Sequence, residues 1–227
     1  MHQLERDYIF ELAGMPRSGK TPVQGILAQY LKRMEYPLVE FNGGSRSSSL
    51  PIYRMPIGTL NENLAQGIEY FIRSIVSQQK SDHNIYLLDK GLIDRCIFTD
   101  ALVQDDKVSE EQARQVYASL TDSRLLERLD GVFIFTVSPE IALQREYADK
   151  LVKREDVRSQ GDVMNERFLR KMSATAKKWY KEMNGHIKYI DYIDTTNDAD
   201  MQGVARNVFN GIRERYPELE FELTASR

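Results

Sequence analysis

A three-layer α/β/α fold, with helices on both faces of a parallel sheet, is the architecture this sequence predicts, on three observations. Residues 14–21, Gly-Met-Pro-Arg-Ser-Gly-Lys-Thr, fit the spacing G-x-x-x-x-G-K-[ST] of a phosphate-binding loop, with an apolar run before them and a helical run after. Five short apolar runs alternate with segments of helical periodicity, the pattern of strands joined by crossover helices. Residues 131–137 are apolar almost throughout, as a central parallel strand covered on both faces requires.

Length and composition narrow the reading. With 227 residues and a mass of 26.3 kDa, the chain suits one domain spanning 1–227, with room for a lid and not for a second core. Its 41% hydrophobic and 29% charged residues are those of an ordinary soluble protein. A net charge of -3 and a pI near 5.8 argue against general nucleic-acid binding. The one cysteine, Cys96, forms no internal disulfide, and three scattered histidines have no metal-ligand spacing. No basic-then-apolar leader opens the chain and no run of eighteen apolar residues occurs, so a cytoplasmic protein without membrane contact is expected.

Taken in order, residues 8–13 read as the first strand and enter the loop directly. Its glycines let consecutive N–H groups point at one anion, and the following helix adds a favourable dipole. Pro22 falls in the first helical turn, where it loses no hydrogen bond. Gly14, Pro16, Arg17, Ser18, Gly19, Lys20 and Thr21 form the expected nucleotide-binding set, with Lys20 on the outer phosphates and the Thr21 hydroxyl on Mg²⁺.

Residues 36–41 read as a second strand ending near Glu40, ahead of a Gly/Ser-rich stretch that contains Arg46. Ligands of open parallel sheets sit outside the carboxyl ends of the strands, so Glu40 and Arg46 are candidates for the acceptor side. Thr59 and Glu62 have capping-box spacing and start a helix expected to end near Lys80. Residues 84–89 read as a buried strand ending in Asp89, the expected Mg²⁺-facing carboxylate, and Lys90 and Arg95 follow as candidate phosphate contacts.

A second capping box, Ser109 with Gln112, starts a helix expected to break near residues 121–123. After the strand at 131–137, Ser138 and Pro139 suit the cap and first position of a helix. From Arg145 to Lys178, ten Lys or Arg stand against six Asp or Glu in an otherwise acidic chain. Residues 150–161 are polar and weakly periodic, so a basic lid is expected at about 145–162, with Arg145, Lys153, Arg154 and Arg158 as its candidate cations. Residues 163–183 resume as a helix with Trp179 and Tyr180 packed, 187–194 form the last strand, and a final helix carries Val204, Val208, Phe209 and Ile212.

On these residues the chain resembles the P-loop nucleoside and nucleotide kinases, the group of thymidylate kinase and the deoxynucleoside kinases, over about residues 7–214. The resemblance implies a five-stranded parallel sheet of order 2-3-1-4-5, a lid, and ATP- and Mg²⁺-dependent phosphoryl transfer. It implies that Lys20 and the lid cations Arg145 and Arg154 stabilise the moving phosphoryl group, that Thr21 and Asp89 hold Mg²⁺, and that Glu40 orients or deprotonates the acceptor. Two departures stand out: Lys90 replaces the arginine that follows the family's acid, and Glu40-Phe41 replaces Glu-Pro. A nucleoside or nucleotide acceptor is therefore expected, with another small hydroxyl compound (antibiotic, sugar or polynucleotide end) as the alternative within kinases. A homodimer is compatible with this reading. A nucleotide-dependent switch is the alternative outside enzymes, although no Asn-Lys-x-Asp guanine signature occurs, and a kinase-like fold that binds without turnover is the third.

Overall fold

The computed structural model describes residues 4–41, 83–153, 163–198 and 200–219. Five parallel strands lie in the order β2-β3-β1-β4-β5: β1 Tyr8–Gly14, β2 Leu38–Phe41, β3 Ile85–Asp89, β4 Gly131–Thr136 and β5 Ile190–Asp194. The helices are α1 Lys20–Arg33, α2 Leu92–Gln104, α3 Glu110–Leu120, α4 Ser123–Leu126, α5 Pro139–Lys153, α6 Glu166–Met183 and α7 Met201–Arg215. The expected fold class and strand order are both found.

The pleat of the sheet sorts side chains into two cores. Tyr8, Phe10 and Leu12 of β1 and Phe133 and Phe135 of β4 pack against α1 and α7. Ile9 and Ala13 of β1 and Val132 and Ile134 of β4 pack against α2, α3 and α6. Alternation with period two on strands that are apolar on both faces leaves the three central strands fully buried. Burial of each such aromatic side chain is worth about 1.5–3 kcal/mol, so the inner strands anchor everything attached to their ends.

Caps fix the helix starts. Ser109 and Gln112 form the expected capping box on α3. The chain breaks after Leu120, and the Asp122 carboxylate caps α4. Asn165 caps α6 through the Phe168 N–H, which moves that start from 163 to Glu166. Residues 145–153 continue α5, while the rest of the expected lid, the helix expected from Thr59, and Arg46, Arg154 and Arg158 lie outside the described residues. No described helix is long and apolar enough to cross a membrane.

Register, rather than loop chemistry, brings the candidate residues together. Leu12 of β1 is paired with Asp89 of β3, and the Lys90 N–H donates to the Leu12 carbonyl at 3.0 Å. The end of β3 is thereby tied to β1 two residues before the phosphate loop begins. At the opposite edge, buried Asp130 accepts from Arg6, Lys188 and the Ile9 N–H, closing the sheet away from the candidate site.

Candidate active site

The loop joining β1 to α1 depends on two glycines. Gly14 has a left-handed φ of 114°, and a Cβ there would overlap the Phe135 carbonyl oxygen of β4. Gly19, at φ 93°, precedes α1, and its Cβ would lie 2.5 Å from Met201 Sδ. Only glycine meets both the dihedral and the space at these positions. Arg17 adopts φ 60° without that freedom, a strained conformation held by its neighbours. The Ser18 hydroxyl closes the loop by donating to the Met15 carbonyl at 2.7 Å.

Lys20 is buried inside the loop, and its ammonium donates to the Gly14 and Met15 carbonyls at 2.8 and 2.7 Å. Burial lowers its proton affinity, while the carboxylates of Asp94 and Asp89 oppose that effect. Two of its three N–H donors are thus engaged, leaving one for a phosphate oxygen. The N–H groups of the first turn of α1 have no partners within the helix, an arrangement that suits an anion.

Beside Lys20, the Thr21 hydroxyl donates to Asp89 Oδ2 at 2.9 Å. Asp89 is buried, and its other oxygen, Oδ1, has no hydrogen-bond partner among the described residues. A buried carboxylate oxygen without a donor is costly unless something cationic meets it. The hard-oxygen pair of Thr21 and Asp89 therefore fits a divalent cation such as Mg²⁺.

A cavity of about 450 Å³ opens over this group, lined also by Lys90, Arg145, Asp198 and Met201. Lys90 reaches it from a left-handed backbone, φ 70°, directly after Asp89. Arg145 is placed differently from a free lid cation. Its guanidinium donates to Arg17 O at 3.0 Å, Thr195 Oγ1 at 3.1 Å, Thr195 O at 2.9 Å and Asp198 O at 3.0 Å. Buried Thr195 in turn donates to the Ser18 carbonyl at 2.9 Å. Arg145 and Thr195 thus clamp the phosphate loop to the segment between β5 and α7. Arg17, which also lines the cavity, pairs with Glu146 and Asp149 of α5.

The remaining candidates are distributed as follows. Glu40 is 24% exposed and ion-paired with Lys32 in the last turn of α1. Arg95 lies buried in the first turn of α2, where its charge disfavours the charged form of Lys20. Pro16 lines the cavity. Lys153 ends α5, and its side chain lies outside the description. Cys96 is buried, and its thiol is pushed well above the usual range by that burial, as expected of a packing residue.

Sequence reasoning missed two residues, Glu11 and Asp94. Glu11 is fully buried in β1 and accepts from the Ile93 and Asp94 N–H groups of α2 at 3.2 and 2.8 Å. Asp94 Oδ1 accepts from the Gly14 N–H at 2.9 Å. The available signal was an acid at an inward position of an otherwise apolar strand, three residues before the loop's first glycine.

No family model matches the chain, and no curated protein matches it in sequence. Among solved structures it is similar to deoxyadenosine kinase from M. mycoides with products dCMP and a flexible dCDP bound, at a TM-score of 0.62. Structures of the same enzyme with bound dCTP and with bound dATP both give 0.59. In each case the sequences are 16% identical, over 91% of this chain and 99% of the other. At that identity the likeness establishes a shared fold, the five-stranded parallel α/β architecture that the resemblance implied.

Proposed function

We propose that this protein is an ATP- and Mg²⁺-dependent small-molecule kinase whose acceptor is a nucleoside or nucleotide. The observation that carries the reading is the Thr21–Asp89 pair, with a second buried Asp89 oxygen lacking a donor, set beside buried Lys20. The shared fold supports it, since the similar M. mycoides structures are of a kinase with deoxynucleotides bound.

In this reading the triphosphate lies over the loop, where Lys20 and the backbone N–H groups of α1 hold its outer oxygens. Thr21 and Asp89 hold Mg²⁺, which supplies charge neutralisation on the phosphate oxygens. Lys90 adds positive charge where it lines the cavity. Arg145 keeps Arg17 and Thr195 in place, so that the loop does not reorganise during transfer. Glu40 takes the acceptor side as the carboxylate that orients or accepts the proton of a hydroxyl. Its partner Lys32 is 60% exposed, so exchanging that ion pair for an acceptor hydroxyl costs about 1 kcal/mol or less.

The test is to incubate the protein with Mg·ATP and a panel of nucleosides, nucleoside monophosphates and other hydroxylated small molecules. Transfer to a nucleoside or nucleotide, lost in Lys20→Ala, supports the proposal. Transfer only to another hydroxyl compound overturns the acceptor class. Slow hydrolysis stimulated by a partner protein overturns the kinase reading in favour of a switch.

A further inference from the structure

Glu11 is a carboxylate placed where an apolar side chain would ordinarily sit. It is fully buried on the face of β1 that carries Ile9 and Ala13, and it abuts the N-terminus of α2. A Cβ on Gly91 would lie 2.6 Å from the Glu11 carboxyl carbon, so the turn before α2 is built around this group. The gain is that α2, which has no side-chain cap of its own from Gly91, receives one from another strand.

The contacts form a closed path. Glu11 holds the Ile93 and Asp94 N–H groups, the Asp94 carboxylate holds the Gly14 N–H, and Gly14 follows Glu11 by three residues on the same strand. The turn from Asp89 to Gly91 lies against it, with the Lys90 N–H on the Leu12 carbonyl and Gly91 against the Glu11 carboxylate. Asp94 also favours the charged form of Lys20. Resting on the kinase reading, we infer that Glu11 is a positioning residue: it braces Asp94 against the start of the phosphate loop, and so holds Asp89 and Lys20 in register for Mg·ATP.

The experiment compares the parent protein with Glu11→Ala and Glu11→Gln. Amide hydrogen exchange is followed without ligand and with Mg·ATP, and Mg·ATP affinity is measured by calorimetry. In the parent, the amides of Gly14, Ile93 and Asp94 exchange as one unit and slow together when Mg·ATP binds. In Glu11→Ala all three exchange faster while the Ile9 amide, held at Asp130, is unaffected. Mg·ATP then binds about tenfold or more weaker, the range found for groups that orient a ligand set, and Glu11→Gln, which retains one accepting oxygen, restores part of the loss.

Unrelated exchange of the three amides in the parent overturns the inference, whether or not the variants fold. So does a folded Glu11→Ala with unchanged Mg·ATP affinity, or no recovery in Glu11→Gln. Failure of the parent to bind Mg·ATP, with the three amides still exchanging together, overturns the kinase reading and leaves the brace as architecture alone.

Discussion

The Thr21 hydroxyl donates to Asp89 across 68 residues of sequence, and Asp89 retains a buried oxygen that no described donor meets. This pair follows from register, since Leu12 and Asp89 are partners on adjacent strands and the loop leaves β1 immediately afterwards. If it holds the metal, Asp89→Asn and Thr21→Val lower ATP affinity about 10- to 100-fold with Mg²⁺ present. Without metal the two variants bind ATP within about twofold of the parent, because neither residue is assigned to the phosphates directly. Calorimetry with Mg²⁺ and with EDTA checks this, and equal losses under both conditions would remove the metal assignment.

Lys20 is buried among carbonyls, an arrangement that favours function over stability. Desolvation of the ammonium opposes its charged form, and the carboxylates of Asp94 and Asp89 offset that only in part. Lys20→Ala is therefore expected to lower phosphoryl transfer by about a thousandfold or more. Its melting temperature should fall by no more than about 3 °C, since the ammonium it removes is held at a desolvation cost. Turnover assays and thermal melts of the same preparation decide it, and retained turnover counts against the mechanism.

Glu40 and Lys32 separate a chemical role from a structural one. Their ion pair lies at the surface and contributes little to stability. Glu40→Gln should lower turnover about a hundredfold or more, the contribution typical of a positioned base. Lys32→Ala should leave it within about twofold, since it only frees the carboxylate. Equal effects of the two substitutions would mean that the pair, and not the carboxylate, is what matters.

The parts of the site that could be read from sequence are those encoded locally. The loop spacing, the apolar strands and the acid closing β3 each lie within a few residues, and the fold and strand order follow from them. What escaped is encoded by contacts between distant segments. Arg145 appears in sequence as one cation in a basic run, yet its acceptors come from residues 17, 195 and 198. Glu11 has no local partner at all, because the N–H groups it caps lie 82 and 83 residues later. Strand ends shifted for simpler reasons. β2 begins after Pro37, which has no N–H to donate, and Ile187 forms only an isolated bridge with Asn184 before β5 starts at Ile190.

Glu11 makes stability depend on pH in a definite direction. Burial, aided by the Asp94 carboxylate and opposed by the α2 N–H groups, pushes its carboxyl up to about 7 from an ordinary 4.5. The folded state then holds a proton that the unfolded chain releases earlier, so this group lowers stability as pH rises from about 4.5 to 7, with no further change above. Glu11→Gln lacks that term. Relative to the parent, the variant should gain on the order of 3 kcal/mol between pH 4.5 and 8. Denaturant unfolding of both proteins across that range measures it, and a constant difference would show Glu11 titrating as an ordinary carboxylate.

Gly91 supplies the last test, because the space it leaves is occupied by Glu11. A methyl group at residue 91 would press on the Glu11 carboxyl carbon at 2.6 Å, and that carboxylate cannot retreat while it caps α2. Gly91→Ala alone should destabilise by about 1–3 kcal/mol, the cost of overpacking a tight interior. In the Glu11→Ala background the carboxylate is gone and the methyl enters vacated volume, so most of that cost should vanish. The double-mutant cycle should therefore show a coupling of about 1 kcal/mol or more, as expected for residues in direct contact. Denaturant unfolding of the four proteins at pH 8 measures it. Additive effects would mean that Gly91 is needed for its backbone path and not for the carboxylate beneath it.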